Sequence, residues 1–212
     1  DISYGRQPDG EDLWMFFEDP TPNQTNNNSS GFELVCQYPS FSLDAGFFNE
    51  PFEVTIELSE EGYPIFYTLD GSDPTASSSV YSGPISISET SVLRASMIHP
   101  NYLFSEISTS SYFINEDMNL PIISLSTNPD NFWDWETGIY VMGPNASPYF
   151  PHFGANFWED WERPIHIEFF ESDGVLGFAK NAGVKIFGGW SRGQPQKSLS
   201  IFARASYGSN KI

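Results

Sequence analysis

The chain has 212 residues, 28 of them acidic and nine basic, for a formal net charge of −19. A surface of that sign repels nucleic acid and anionic membrane, which excludes both as general partners, and it suits a protein kept soluble in salt or at a cell exterior. No apolar run reaches the roughly eighteen residues of a membrane span. At 39% hydrophobic and 17% aromatic, the composition supports a packed core. Its wealth of Ser, Thr, Phe, Tyr, Ile, Gly and Pro favours strands and turns over helices.

LWMFF (13–17) reads as a lone strand with too little around it to form a domain, and PTPNQTNNNSSG (20–31) as a polar linker. From Phe32 to Ile114 short strands recur with turn residues between them. FEVTIELS (52–59) puts Phe52, Val54, Ile56 and Leu58 on one face. PIFYTLDGSDP (64–74), PISIS (84–88), SVLRASMI (91–98) and SEISTSSYFI (105–114) follow. That spacing predicts a small immunoglobulin-like β-sandwich. NEDMN (115–119) is a polar break. Beyond it LPIISLST (120–127), RPIHIEFFESDG (163–174), GVLGFAKNAGVKIFGG (174–189) and KSLSIFARASYG (197–208) predict four more strands, with ESDG a hairpin turn. The intervening loop, 128–162, carries Trp133, Trp135, Trp158 and Trp161. These rings form either the core of a long ordered loop or a surface that stacks on sugars.

Cys36 is the sole cysteine, so it makes no internal disulfide and no metal cluster, and it reads as a small buried residue. His99, His152 and His166 are scattered without metal spacing, and His166, between Ile165 and Ile167, reads as a surface position on a strand. Asp70 and Asp73 lack the further oxygen ligands of a calcium loop and predict an Asx-type turn. Metal ligands are therefore not expected, and no Ser-His-Asp arrangement is visible. Glu162 and Arg163 read as an ion pair or a strand cap. Seven of the nine basic residues lie from Arg163 onward, a concentration that asks for a reason.

WERPIHIEFFESDG, AGVKIFGGWSRGQPQKSLSIFAR and the closing YG resemble the CotH family, secreted or spore-coat proteins with an atypical kinase fold. GIYV (138–141) stands where that family has a strand. The resemblance covers about residues 118–212 and reaches only the N-terminal part of the family's domain; the catalytic-base and metal-binding acidic residues belong to its later part. PIFYTLDGSDPT, followed by Tyr81, GPI and TSVLRA, resembles the chitobiase/β-hexosaminidase C-terminal type of module, from about 33 to 114. Residues 3–26 resemble the closing strands of a lamin-tail-like domain.

These resemblances imply three parts: 1–27, a lamin-tail-like remnant with linker; 32–115, the immunoglobulin-like module; and 118–212, the start of a CotH-like kinase domain. The expected fold is mainly β, an immunoglobulin-like β-sandwich followed by a β-rich partial kinase-like N-lobe that leaves one sheet face uncovered. The implied protein is a fragment of a secreted bacterial surface protein whose parent uses ATP and Mg²⁺ to phosphorylate a protein; the fragment itself is inactive. The rival is a non-catalytic adhesion or carbohydrate-associated surface protein. Under the kinase reading Lys197, at the head of a strand after a Gly-rich turn, is the phosphate-binding lysine, with Arg192 second and Lys185 a third candidate for the nucleotide cleft. Against it, Lys197 reads as a solvated strand edge and Lys185 as an outward-facing lysine.

Overall fold

β-Branched and aromatic residues fill the segments that become strands, and Gly, Pro and Asn separate them. The computed structural model describes residues 2–58, 63–104, 106–208 and 211. Strands β1 (Ser3–Arg6) and β2 (Trp14–Phe17) form an antiparallel hairpin, so LWMFF is not alone. Its partner, SYGR, is too short and polar to announce itself. The expected linker is also ordered. Gln7 Nε2 donates to the carbonyls of Asn26 (2.8 Å) and Ser29 (2.6 Å), and Asn26 Nδ2 donates to Arg6 O (2.9 Å). Side-chain amides here replace the ladder that the Asn-rich sequence cannot build.

Among the described residues eleven strands make the immunoglobulin-like unit: β3 (Leu34–Val35), β4 (Ser40–Phe41), β5 (Gly46–Phe48), β6 (Phe52–Val54), β7 (Ile56–Glu57), β8 (Ile65–Thr68), β9 (Ser79–Val80), β10 (Ile85–Ile87), β11 (Ser91–Met97), β12 (Tyr102–Leu103) and β13 (Ser108–Ile114). One sheet runs β5-β13-β11-β8-β9; the pairs β6–β10 and β4–β7 supply apolar residues to the same core. The alternation read in FEVTIELS holds, since Val54 and Ile56 are buried with Phe52 and Leu58 packed beside them. The stretch is nevertheless two strands. At Thr55 the backbone leaves β10 and joins β4, with Thr55 N–H donating to Ser42 Oγ (2.9 Å). Ser59 and Ser105, the expected ends of two strands, lie outside the described residues.

The second unit is one antiparallel sheet, β14 (Ile122–Ser126), β15 (Arg163–Phe170), β16 (Leu176–Phe187) and β17 (Ser198–Phe202), in that order. Helix α1 (Asp130–Trp133) opens the Trp-rich loop. GIYV is a turn and not a strand; Ile139 within it drops into the core at 1% exposure. The strand expected over 197–208 stops at Phe202 and gives way to a 3-10 turn at Ala205–Tyr207. Ile165, Ile167, Ala182, Val184 and Ile186 form one face of the sheet, buried beneath the loop with Leu199 and Ile201 alongside.

The opposite face carries His166, Glu168 and Phe170, and it is covered by the sandwich. Phe47 and Phe113, stacked at 4.6 Å, meet the edge of Phe170 at 5.4 and 5.5 Å. Ser111 Oγ bonds Ser124 Oγ at 2.7 Å. The uncovered face expected of this unit is thus where the two units join. Phe170 is fully buried in that join. Phe170→Ala is expected to cost about 3–5 kcal/mol, read as a lower melting temperature of the whole chain by calorimetry; an unchanged melting temperature would mean the two sheets do not stabilise each other.

Candidate functional site

The turn between β16 and β17 builds the site. Gly188 holds φ at +121°, and a Cβ there would lie 2.4 Å from Ser191 Oγ, so the backbone requires glycine. A 3-10 turn, Trp190–Gly193, follows. A Cβ on Gly193 would meet Pro151 O at 2.9 Å, which lets this turn lie directly against the Trp-rich loop.

Lys197 stands just before β17. Its N–H donates to Tyr140 Oη (2.9 Å), and its Nζ donates to Gln194 O (2.7 Å). The ammonium lies 4.3 Å from the centre of the Phe157 ring and 5.1 Å from that of Tyr140. Both distances are within cation–π range. Burial pushes its pKa below the ordinary lysine value. Among the described residues no carboxylate forms an ion pair with it. The lysine borders a pocket of about 450 Å³ walled by Trp135, Tyr140, Met142, His152 and Phe157.

The three candidate cations are not one cluster. Arg192 joins Lys197 beside Phe157, yet its donors are engaged: Nε donates to Gly188 O (2.7 Å), and Nη1 lies 3.4 Å from the carbonyls of Phe157 and Trp158. It ties turn to loop. Lys185 pairs across the sheet with Ser200, while its neighbour Ile186 pairs with Leu199 on the core face. Alternation therefore points Lys185 to the other side, where it bonds Asp160 at 2.9 Å with Glu162 at 3.8 Å. Glu162 pairs with Arg204 through two 2.8 Å bonds, not with Arg163, whose guanidinium stacks 5.2 Å over Trp161. Asp160 and Glu162 are both held below their ordinary carboxylate values by hydrogen bonds, from Lys185 and from Arg204 respectively.

The tryptophans divide. Trp158 and Trp161 pack on the core, while Trp133 and Trp135 remain exposed. Asp70 makes the expected Asx turn, accepting Ser72 N–H at 3.0 Å. Its neighbour Asp73 instead binds Arg94, buried at 7% exposure. The Cys36 thiol is buried, and burial raises its pKa.

Sequence reasoning missed the polar seam between the units. His166 is not a surface position: its Nδ1 lies 2.8 Å from Asn181 Oδ1, and its Nε2 is buried without a partner, as is Ser126 Oγ. Beside them a cavity of about 230 Å³ is lined by Asp73, Arg94, Glu106, Asn181 and Tyr207. Glu168, 1% exposed, accepts the Ser111 N–H at 3.1 and 3.3 Å. Alternation within RPIHIEFF separates two faces but cannot tell which of them a second unit will cover. No signal beyond that was available for Glu168.

Residues 43–109 match the family model of the chitobiase/beta-hexosaminidase C-terminal domain. No curated protein and no solved structure matches the chain. No described helix is long and apolar enough to cross a membrane.

Burial raises the Glu168 pKa above its ordinary 4.5, against the lowering effects of Ser111 and His166. From 4.5 up to that raised value the folded chain keeps a proton that the unfolded chain has released. Stability from this group therefore falls as pH rises through that window. Glu168→Gln, which keeps an oxygen for Ser111 N–H, is expected to melt higher than the parent chain by a margin that grows with pH above 4.5. A margin independent of pH in thermal melts would show that Glu168 does not titrate there.

Proposed function

We propose that the chain belongs to an extracellular bacterial surface protein of the CotH kind. In it a carbohydrate-associated immunoglobulin-like module is joined to a lobe that holds nucleotide phosphates at Lys197. The longer protein would use ATP and Mg²⁺ to phosphorylate a protein, with its catalytic groups outside these residues. The single observation that carries this reading is the Lys197 ammonium. It is half-buried, it rests on two aromatic rings, and it lacks a carboxylate among the described residues of a chain with 28 acidic side chains. A desolvated cation without a counter-ion favours an incoming anion, and the aromatic wall beside it offers a face for a flat ring.

The chemistry is that of a positioned point charge. Lysine gives the phosphates a charge without a fixed fork. Gln194 O and the Tyr140 ring aim it at the pocket. Arg192 acts by holding the turn against the loop carbonyls. Lys185, on the other face, has no part in this site. The immunoglobulin-like module supports an exterior setting among polysaccharides, because the family it matches takes its name from enzymes of that chemistry.

Titration of the chain with MgATP and with inorganic pyrophosphate tests the reading. Lys197→Met is expected to weaken both by tenfold or more, about 1.4 kcal/mol. It should leave the melting temperature nearly unchanged, since Met fills the aromatic cradle and removes a desolvated charge. Lys180→Met should change neither the binding nor the melting temperature. Because the Lys197 pKa lies below its ordinary 10.5, binding should be lost with rising pH before that value is reached. Equal binding by the parent chain, Lys197→Met and Lys180→Met would refute the phosphate site.

A further inference from the structure

Residues 137–158 contain no Asp, Glu, Lys or Arg, in a chain whose net charge is −19. Within this uncharged stretch Tyr149, Phe150 and Phe153 are 80%, 50% and 54% exposed. Trp190, from the turn after β16, joins them at 65% exposure. Its ring centre lies 6.1 Å from Phe150 and 6.4 Å from Phe153, at interplanar angles of 67° and 90°. Two segments remote in sequence thus converge on one aromatic patch. Although the rings meet edge to face, each keeps half or more of its surface exposed, so apolar ring surface remains open to a ligand.

The patch is held in place from beneath. Trp158 Nε1 donates to Pro151 O (2.8 Å), and Ser147 N–H donates to Phe153 O (2.9 Å). Arg192, the one charge within the 188–196 turn, is directed at backbone carbonyls and stands 5.7 Å over the Trp158 ring. The exposed polar residues of the two segments that carry the rings are neutral: Asn145, Ser191, Gln194 and Gln196.

We propose that Phe150, Phe153 and Trp190, with the exposed Tyr149 next to Phe150 in the chain, form a binding surface for a neutral polysaccharide chain. An exposed aromatic patch on a soluble unit marks a contact surface. Its lack of charge selects the occupant. A second copy of this chain would bring another −19 charges toward the first, and an anionic membrane is repelled for the same reason. A polysaccharide offers apolar ring faces to the aromatics and hydroxyls to the amides, and no buried charge has to be desolvated. The site lies on the second unit and is separate from the immunoglobulin-like module. The inference stands independently of the Lys197 reading.

The test is co-sedimentation of the whole chain with insoluble chitin and with cellulose. Trp190→Ala and Phe150→Ala should each lower retention of the chain on at least one of these polymers by about tenfold. Trp190→Phe should restore most of it. Added salt should change little, because no charge pair is involved. Melting temperatures should not move, since both rings are largely exposed. Retention unaltered by Trp190→Ala would overturn the patch while leaving polysaccharide contact through the immunoglobulin-like module. Absence of retention by the parent chain would overturn it too, without touching the phosphate titration. Partition into phosphatidylcholine vesicles, or dimerisation on gel filtration, abolished by Trp190→Ala would assign the patch to a membrane or a second copy instead.

Discussion

The β14–β17 sheet must be covered on both faces, and the rest of the molecule follows from how that is done. One face is aliphatic and takes the Trp-rich loop as its lid. The other mixes Phe170 with His166, Glu168, Ser124 and Ser126, and takes the outer face of the sandwich. A mixed face cannot simply be buried in apolar surroundings. It needs partners in register, and β13 supplies the Ser111 N–H and hydroxyl at the point where Glu168 and Ser124 arrive. Aromatic contacts hold the units together, while the hydrogen bonds fix how they are oriented. A carboxylate at 1% exposure with only a backbone N–H and a serine beneath it is an expensive means of doing so.

The lid decides the fate of the lysine. At the head of an ordinary edge strand Lys197 would extend into water and protect the edge from pairing. Here the loop passes over the sheet and places Phe157 and Tyr140 against it, so the ammonium loses solvent and gains ring faces. Gly188 and Gly193 permit this. The first turns the backbone after β16, and the second lets the turn approach Pro151 more closely than a side chain would allow. The site and the core are therefore consequences of one packing event.

Much of the fold was legible because alternation is a local property. Val54 and Ile56 in one stretch, and Ile165 and Ile167 in another, declared buried faces correctly. The change of partner at Thr55 was not legible, since side-chain alternation continues unbroken when the backbone switches sheets. The hairpin of β1 with β2 was missed because SYGR has too few apolar residues to show a period. GIYV was expected as a strand from the resemblance alone; its Ile139 is buried, yet it is delivered by a turn. For the site, glycines and a following lysine were visible in the sequence. The Tyr140 and Phe157 cradle was not, for its members lie 57 and 40 positions upstream of Lys197 in the numbering. His166 and Lys185 share a face that sequence alone could not separate from solvent.

The concentration of basic residues after Arg163 resolves into distinct tasks. Lys185 and Arg204 neutralise Asp160 and Glu162, which the end of the Trp-rich loop would otherwise bring together over the sheet edge. Arg192 donates toward carbonyls of its own turn at Gly188 and of the 3-10 turn at Asn156–Trp158. Arg163 spends its charge on an indole face. Each of these is a structural answer to a loop of thirty-five residues, 128–162, folded onto a sheet. Lys197 differs in resting on two rings at the border of a pocket. Its donor meets one carbonyl and two rings, and none of those cancels its charge. In a chain so rich in carboxylates, this half-buried cation has no carboxylate partner among the described residues, and the proposed anion site rests on that feature.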